Sequence, residues 1–261
     1  MTMVKFELKQ GRTALIIWSL AISFLLGLCV MIYPQMALQM EDVGKMFADM
    51  GGFSAAFGMD QVNFGEFIGF FGVECGNILG LGGAFFAALV GVSALSKEEK
   101  NGTAEFLLTH PVSRTRITVA KLCAVIIQVV ILNLSAAAVT ALSVILIDET
   151  VPVKTLALIF IAHLLMQIEV ATVTFGISAF LKRSGMGIGL GLAAVFYFLN
   201  ILSNLMEELE GLKYVTPFGF TDGAQIIADG TLNLGYLTTG VLFTAAGIVI
   251  AFCQYRKKDI G

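Results

Sequence analysis

Two glutamates, Glu74 and Glu169, sit inside otherwise apolar stretches with Asn77, Asn133, His163 and Gln167. These six residues are where chemistry within the chain could occur. An ionised side chain at the centre of a bilayer costs roughly 2.5 to 3.5 kcal/mol on insertion scales. Each such group therefore either lines a polar pathway or ion-coupling site, or is held by hydrogen bonds between helices. The second reading is the simpler one, because no two acids share a motif. His163 and Gln167, four residues apart, share one helix face, whereas Glu169 is six residues from His163 and points elsewhere. Asn200 and Asn204 add further polar groups in the fifth apolar stretch.

The sequence contains no Gly-x-x-x-x-Gly-Lys-Ser/Thr, and its one Gly-Lys pair is Gly44-Lys45, so no P-loop is present to bind ATP. It also contains neither His-Glu-x-x-His nor Gly-x-Ser-x-Gly, which leaves metal hydrolysis and intramembrane proteolysis without support. The four cysteines, Cys29, Cys75, Cys123 and Cys253, lie in or at the ends of apolar stretches with no Cys-x-x-Cys spacing. No metal site and no disulfide framework is expected from them.

These residues must be positioned by helices in lipid. The 261 residues are 57% hydrophobic and 13% charged, where an ordinary soluble domain carries about a quarter charged residues. A hydrocarbon core of about 30 Å needs about 20 apolar residues per helix. Six stretches qualify: Thr13 to Tyr33, Phe67 to Leu95, Val119 to Ile147, Thr155 to Leu181, Met186 to Met206 and Asn233 to Cys253. They are too long, and too uniformly apolar, for the alternating strands of a barrel. The first follows Lys5, Lys9 and Arg12 and resembles a secretory signal, but its length and the lack of a small-x-small site predict an uncleaved span.

Charge predicts the topology. Of the 16 Lys and Arg residues, 13 fall in the N-terminus, the second and fourth loops and the C-terminus. The remaining loops hold Lys45, Lys154 and Lys213 against 12 acidic residues. Basic residues near helix ends stay in the cytoplasm, so both termini are expected there. The fold class expected is an all-α polytopic membrane protein with six transmembrane helices, forming one membrane domain over residues 1–261.

Within it, residues 1–12 read as a short interfacial helix. The outer loop 34–66 carries Met36, Met40, Val43, Phe47 and Met50 at helical spacing, an amphipathic helix that ends at Gly51 and Gly52. Gly72, Gly76 and Gly80, continued by Ala84 and Ala88, place small residues on one face of span two for close contact with another span or subunit. Gly185, Gly187, Gly189 and Gly191 open span five as a tightly packed entry or a hinge. The outer segment 207–232, broken at Pro217 and Gly219, reads as a re-entrant or interfacial element.

The cytoplasmic loop 96–118 is the most patterned polar segment. Ser96 with Glu99 forms a capping box, and Gly102 permits a break. Ala104, Leu107, Leu108 and Pro111 make one apolar face, Pro111 ends that helix, and Ser113 caps the next. A short amphipathic helix on the membrane surface follows, although periodicity alone also fits a charged turn that anchors headgroups. The residues themselves carry more. Glu98, Glu99, Gly102, Thr103, Glu105, Leu107, Leu108, Pro111, Val112, Ser113, Arg114, Ile117 and Lys121 resemble the first cytoplasmic loop of ABC exporter permeases of the type-two (ABC-2) membrane family. Phe6-Glu7-Leu8-Lys9, Arg12, Trp18 and the Pro217-Phe218 element accompany it.

That resemblance implies a permease subunit of an ATP-driven exporter in the plasma (cell inner) membrane. It would have no enzymatic activity or cofactor of its own, with ATP and Mg on two cytoplasmic ABC ATPase subunits. A second permease, identical or related, and the lipid bilayer would be its other partners, and nucleic acid would not. Glu98, Glu99, Gly102, Thr103, Glu105, Leu107, Leu108, Pro111, Ser113 and Arg114 would form the coupling helix and its flanks between helices 2 and 3. An ion-coupled secondary transporter using Glu74 or Glu169, and a non-transporting membrane scaffold, are the competing functions.

Overall fold

The computed structural model describes residues 2–38, 51–100, 102, 112–182 and 185–258. Among the described residues all regular structure is helical. Six helices are long and apolar enough to cross a membrane: α1 (Thr2–Ala37), α2 (Phe67–Ser93), α3 (Arg114–Leu146), α4 (Val153–Ser178), α5 (Met186–Leu205) and α6 (Leu234–Lys257). Helices are the expected solution in lipid, where every backbone N–H and C=O needs a partner within the segment. Polar residues set several starts. Ser113 Oγ accepts from Arg116 N at 3.3 Å, and Asn233 Oδ1 accepts from Gly235 N at 2.9 Å and Tyr236 N at 3.3 Å.

Two boundaries differ from expectation. Residues 2–12 are not a separate interfacial helix but the first turns of α1, which runs unbroken to Ala37 and passes through Pro34. The exposed Lys5, Lys9 and Arg12 simply continue the helix outward while Glu7 turns into the bundle. Met36 therefore belongs to the last turn of α1, and Met40, Val43, Phe47 and Met50 lie outside the described residues.

Hydrogen bonds and ion pairs sort the helix ends. The N-terminal turns of α1, the end of α2, the start of α3, the end of α4 and the last residue after α6 meet at one end of the bundle. At the other end Tyr33 donates to Gly65 O at 2.9 Å, and Asn204 to Ala56 O at 3.4 Å. Both termini thus share one end. The helices alternate in direction, and α1 and α3 run parallel, in contact at Gly11 and Gln128, at Ser23 and Ser135, and at Gly27 and Val139.

The segment between α5 and α6 folds onto the second end. It comprises two 3-10 segments, Glu207–Tyr214 and Pro217–Phe220, and the short helix Gly223–Asp229. All four residues of Pro217–Phe220 are buried, and the Phe218 ring reaches the neighbourhood of Gly80, halfway along α2.

α4 is the centre of the bundle, with α2 and α6 laid against its backbone. A Cβ on Gly91 would meet Ala171 O at 2.4 Å, and one on Gly247 would meet Thr172 O at 2.5 Å. Backbone cannot yield as a side-chain tip can, so these contacts exist only with glycine. Overpacking of this kind costs typically about 1 to 3 kcal/mol. Gly91→Ala and Gly247→Ala are expected to lower the thermal unfolding midpoint of the purified protein clearly. Gly76→Ala, whose Cβ would meet nothing within 4 Å, is expected to leave it unchanged or slightly raised.

Candidate functional site

The loop after α2 begins with the short helix Lys97–Lys100, and three consecutive residues there are tied to three different elements. Lys97 ion-pairs with Glu7 of α1 and donates to Gln10 Oε1 at 2.6 Å. Glu98 pairs with Lys121 of α3. Glu99 pairs at 2.6 Å with Lys258, just beyond α6.

Lys121 is the hub. It is 1% exposed and directs its ammonium to Glu98, to Glu7 Oε1 at 3.2 Å and to Ala94 O at 2.8 Å. Of its three N–H donors, two are hydrogen-bonded to Ala94 O and Glu98, and Glu7 adds a second ion pair. Lys258 also donates to Leu181 O at 2.6 Å, which brings in the end of α4. Arg114, the first residue of α3, donates to the carbonyls of Tyr255 at 3.2 Å, Arg256 at 3.3 Å and Lys258. A guanidinium there satisfies carbonyls that a helix end leaves free and complements its dipole.

Of the ten residues expected to couple to an ATPase, Glu98, Glu99 and Arg114 are thus bound into this cluster, and Ser113 caps α3. Gly102 has φ +67°, a backbone conformation that calls for glycine, and a Cβ there would meet no described residue within 4 Å. Thr103, Glu105, Leu107, Leu108 and Pro111 lie outside the described residues. Ser96 does not act as the expected cap: its buried hydroxyl donates to Val92 O at 3.1 Å and closes the last turn of α2.

The intramembrane polar residues form separate groups. Asn133 Nδ2 donates to Gln167 Oε1 at 2.7 Å, and Gln167 Nε2 donates to Leu79 O at 3.1 Å, linking α3, α4 and α2. His163, one turn from Gln167, bonds through Nδ1 to Ile159 O at 2.8 Å and presents Nε2 to Gly80. Asn77 accepts from the Tyr197 hydroxyl at 3.1 Å, in a separate place. Glu169 faces Gly240 of α6, as its spacing from His163 requires, and Glu74 is half-buried in α2. Among the described residues no hydrogen bond or ion pair joins the two acids. The Leu79 carbonyl belongs to a π-helical segment, Gly76–Leu81, that interrupts α2. Such segments are frequent at functional sites.

The small-residue face of span two is used within the chain. Gly72 packs near Ile227 and Gly223, Gly80 packs on His163, and Gly76 is open. The glycines opening α5 divide: Gly185 and Gly189 press on Val92, whereas Gly187 and Gly191 have no described neighbour within 4 Å of a Cβ.

Sequence reasoning missed Glu7, Lys97 and Lys258 as members of the cluster and treated Lys121 as a flank. The available signal was Glu7 itself, a lone acid among Lys5, Lys9 and Arg12. Removing one partner of a buried ion pair costs about 3 to 5 kcal/mol, and Lys121→Met would take away the ammonium that Glu7 and Glu98 share. Lys97 is 22% exposed in its side chain, and without it Glu7 still keeps Lys121, so its removal costs less. Denaturation of purified variants is therefore expected to show a large loss for Lys121→Met and a small one for Lys97→Met. Equal losses would contradict Lys121 as the hub.

The family model for ABC-2 family transporter proteins matches residues 1–259. No curated protein matches the chain. The match covers almost the entire sequence, including both termini gathered at the ionic cluster, and the six apolar helices agree with it. The chain belongs to the ABC-2 transporter family and is a multi-pass membrane permease of the ABC transporter class.

Proposed function

We propose that this chain is the permease subunit of an ATP-driven exporter of the plasma membrane, with both termini and the 96–118 loop in the cytoplasm. Separate ABC ATPase subunits supply the hydrolysis. The observation that carries this reading is the linkage of Lys97, Glu98 and Glu99 to α1, α3 and the end of α6. A force applied to the loop reaches three helices through contacts that are buried or nearly so. A loop that only anchored headgroups would gain nothing from such ties.

The side assignment rests on charge, since 13 of the 16 basic residues fall in the terminal segments and the second and fourth loops, and the described helix ends that border those segments meet at one end of the bundle. A second permease, identical or related, completes the pathway. The face for it is on α5, whose most apolar stretch has the smallest share of buried residues among the six helices, and where Gly187 and Gly191 lie four apart and open to the described residues. Small residues at that spacing let another helix approach closely.

Glu169, buried with Oε2 unpaired, is the feature that most favours an ion-coupled transporter instead. Among the described residues it has no second acid bonded to it, and the coupling-loop resemblance leaves that reading without a role for the loop. The experiment is co-expression with a candidate ABC ATPase. The two are expected to purify together, and Glu105→Arg or Leu108→Arg should separate them or leave hydrolysis without transport. Full ATPase-dependent transport by both variants would remove the coupling assignment. Transport driven by an ion gradient without the ATPase, and abolished by Glu169→Gln, would favour the alternative.

A further inference from the structure

Both halves of α2 are held by close backbone contact. In the inner half a Cβ on Gly91 would meet Ala171 O of α4 at 2.4 Å, and in the outer half one on Gly223 of the outer segment would meet Gly72 O at 2.8 Å. Neither half can turn without losing such a contact. Between them lies the π-helical segment Gly76–Leu81. A π turn closes over one residue more than an α turn, so the segment is a one-residue insertion in α2. It sets the two halves apart by about 100° of rotation and about 1.5 Å of rise from what an uninterrupted helix of the same sequence would give. Four of the eight residues 76–83 are glycine, and few side chains there obstruct a turn.

The insertion has a catch. Gln167 of α4, fully buried, donates through Nε2 to Leu79 O at 3.1 Å, and its Oε1 accepts from Asn133 of α3 at 2.7 Å. A side chain that enters the backbone ladder in this way fixes where the irregularity sits. Gly83 makes room for it, since a Cβ there would meet Gln167 Nε2 at 2.1 Å. The register is also incompletely satisfied: beside the segment, the buried Asn133 Oδ1 and His163 Nε2 have no hydrogen-bond partner among the described residues. Free space lies on the outer side, where a Cβ on Gly76 would meet no described residue within 4 Å, whereas Gly82 and Gly83 abut Ile22 and Gln167.

We propose that Gln167 is a positioning residue for transport: it holds the π insertion in place, and the insertion is the joint through which α2 passes movement of the loop to its outer half. When Gln167 releases Leu79 O, the insertion moves outward along the helix. Each residue it passes turns by about 100°, while the two packed ends keep their register. Asn77, which accepts from the Tyr197 hydroxyl at 3.1 Å, is turned away from α5. That parts α2 from α5 at the small polar cavity lined by Asn77, Tyr197, Asn200 and Asn204. The force on the loop rests on the ATPase-coupled reading, whereas the catch does not.

The catch is tested on the purified full-length protein by a double-mutant cycle. Deletion of Ile78 takes one residue from the segment and leaves both halves of α2 in register as a plain α-helix, so this protein is expected to fold. Deletion of Ala87, in the regular part, turns one half by about 100° and is expected to prevent folding. Gln167→Met is expected to lower the thermal midpoint of the parent by roughly 4 to 8 °C. In the protein lacking Ile78 it should cost less than half as much, because no π turn remains to be held. Equal losses in the two backgrounds, or failure to fold on deletion of Ile78, would overturn the proposal. Movement is tested with the ATPase docked. Nucleotide turnover is expected to speed amide exchange across 76–83 in the parent and to leave it unchanged without Ile78. Unaltered exchange across 76–83 in a parent complex whose 103–111 amides are protected would overturn the joint and leave the ATPase reading standing. If 103–111 stay unprotected, that reading fails instead, and the double-mutant cycle decides the role of Gln167.

Discussion

The arrangement depends on one buried cation. Lys121 sits 1% exposed in a bundle whose surroundings are mostly hydrocarbon, and an ion in such a place is tolerable only if it is hydrogen-bonded and its charge is balanced. Glu7 and Glu98 provide the charge, and the Ala94 carbonyl takes a further donor. Meeting that demand fixes three things together: the depth of α1, the direction in which the chain leaves α2, and the register of α3. Lys97 and Glu99, on either side of Glu98, then reach α1 and the end of α6. The loop's first turn is held because the lysine must be satisfied, and the helices are held to one another by the same contacts.

Above the cluster the interior is built on close backbone approach rather than on charge. Glycines bring α2 and α6 onto α4, and the Asn133, Gln167 and Leu79 bonds cross the bundle where α2 takes a π turn. Without a hydrophobic force between helices in lipid, packing of small residues and interhelical hydrogen bonds are what remain to hold spans together. The π turn gives α2 a local irregularity midway between the ionic end and the Pro217–Phe220 insertion. Movement of the loop at one end therefore meets, along the same helix, a segment whose hydrogen bonding is already non-uniform.

Much of this was legible in the sequence, for identifiable reasons. The six spans follow from length and hydropathy, and their alternation follows from where the basic residues fall. Ser113 and Gly102 were readable because caps and left-handed turns are local and depend on residue type. The ionic cluster was not, because its partners are distant in sequence: Lys97 and Glu7 are 90 residues apart. Ser96 has the sequence of a cap, yet burial turned its hydroxyl back to Val92. The π turn was hidden for a similar reason, since one of its carbonyls is claimed by Gln167, a residue of another helix. Continuity of α1 through Pro34 went unread because a proline in the last turn of a helix looks like a stop.

The central claim is that the 96–121 segment carries the partner's work into the bundle through the ionic cluster. Hydrogen exchange of the permease with its ATPase, with and without nucleotide, tests it most directly. Docking is expected to protect amides across 103–111. Nucleotide turnover is expected to change exchange in residues 4–12 of α1 and 254–258 of α6, the segments tied to Lys97 and Glu99. Protection confined to other surfaces, with 103–111 and both terminal segments unaltered, would contradict the account.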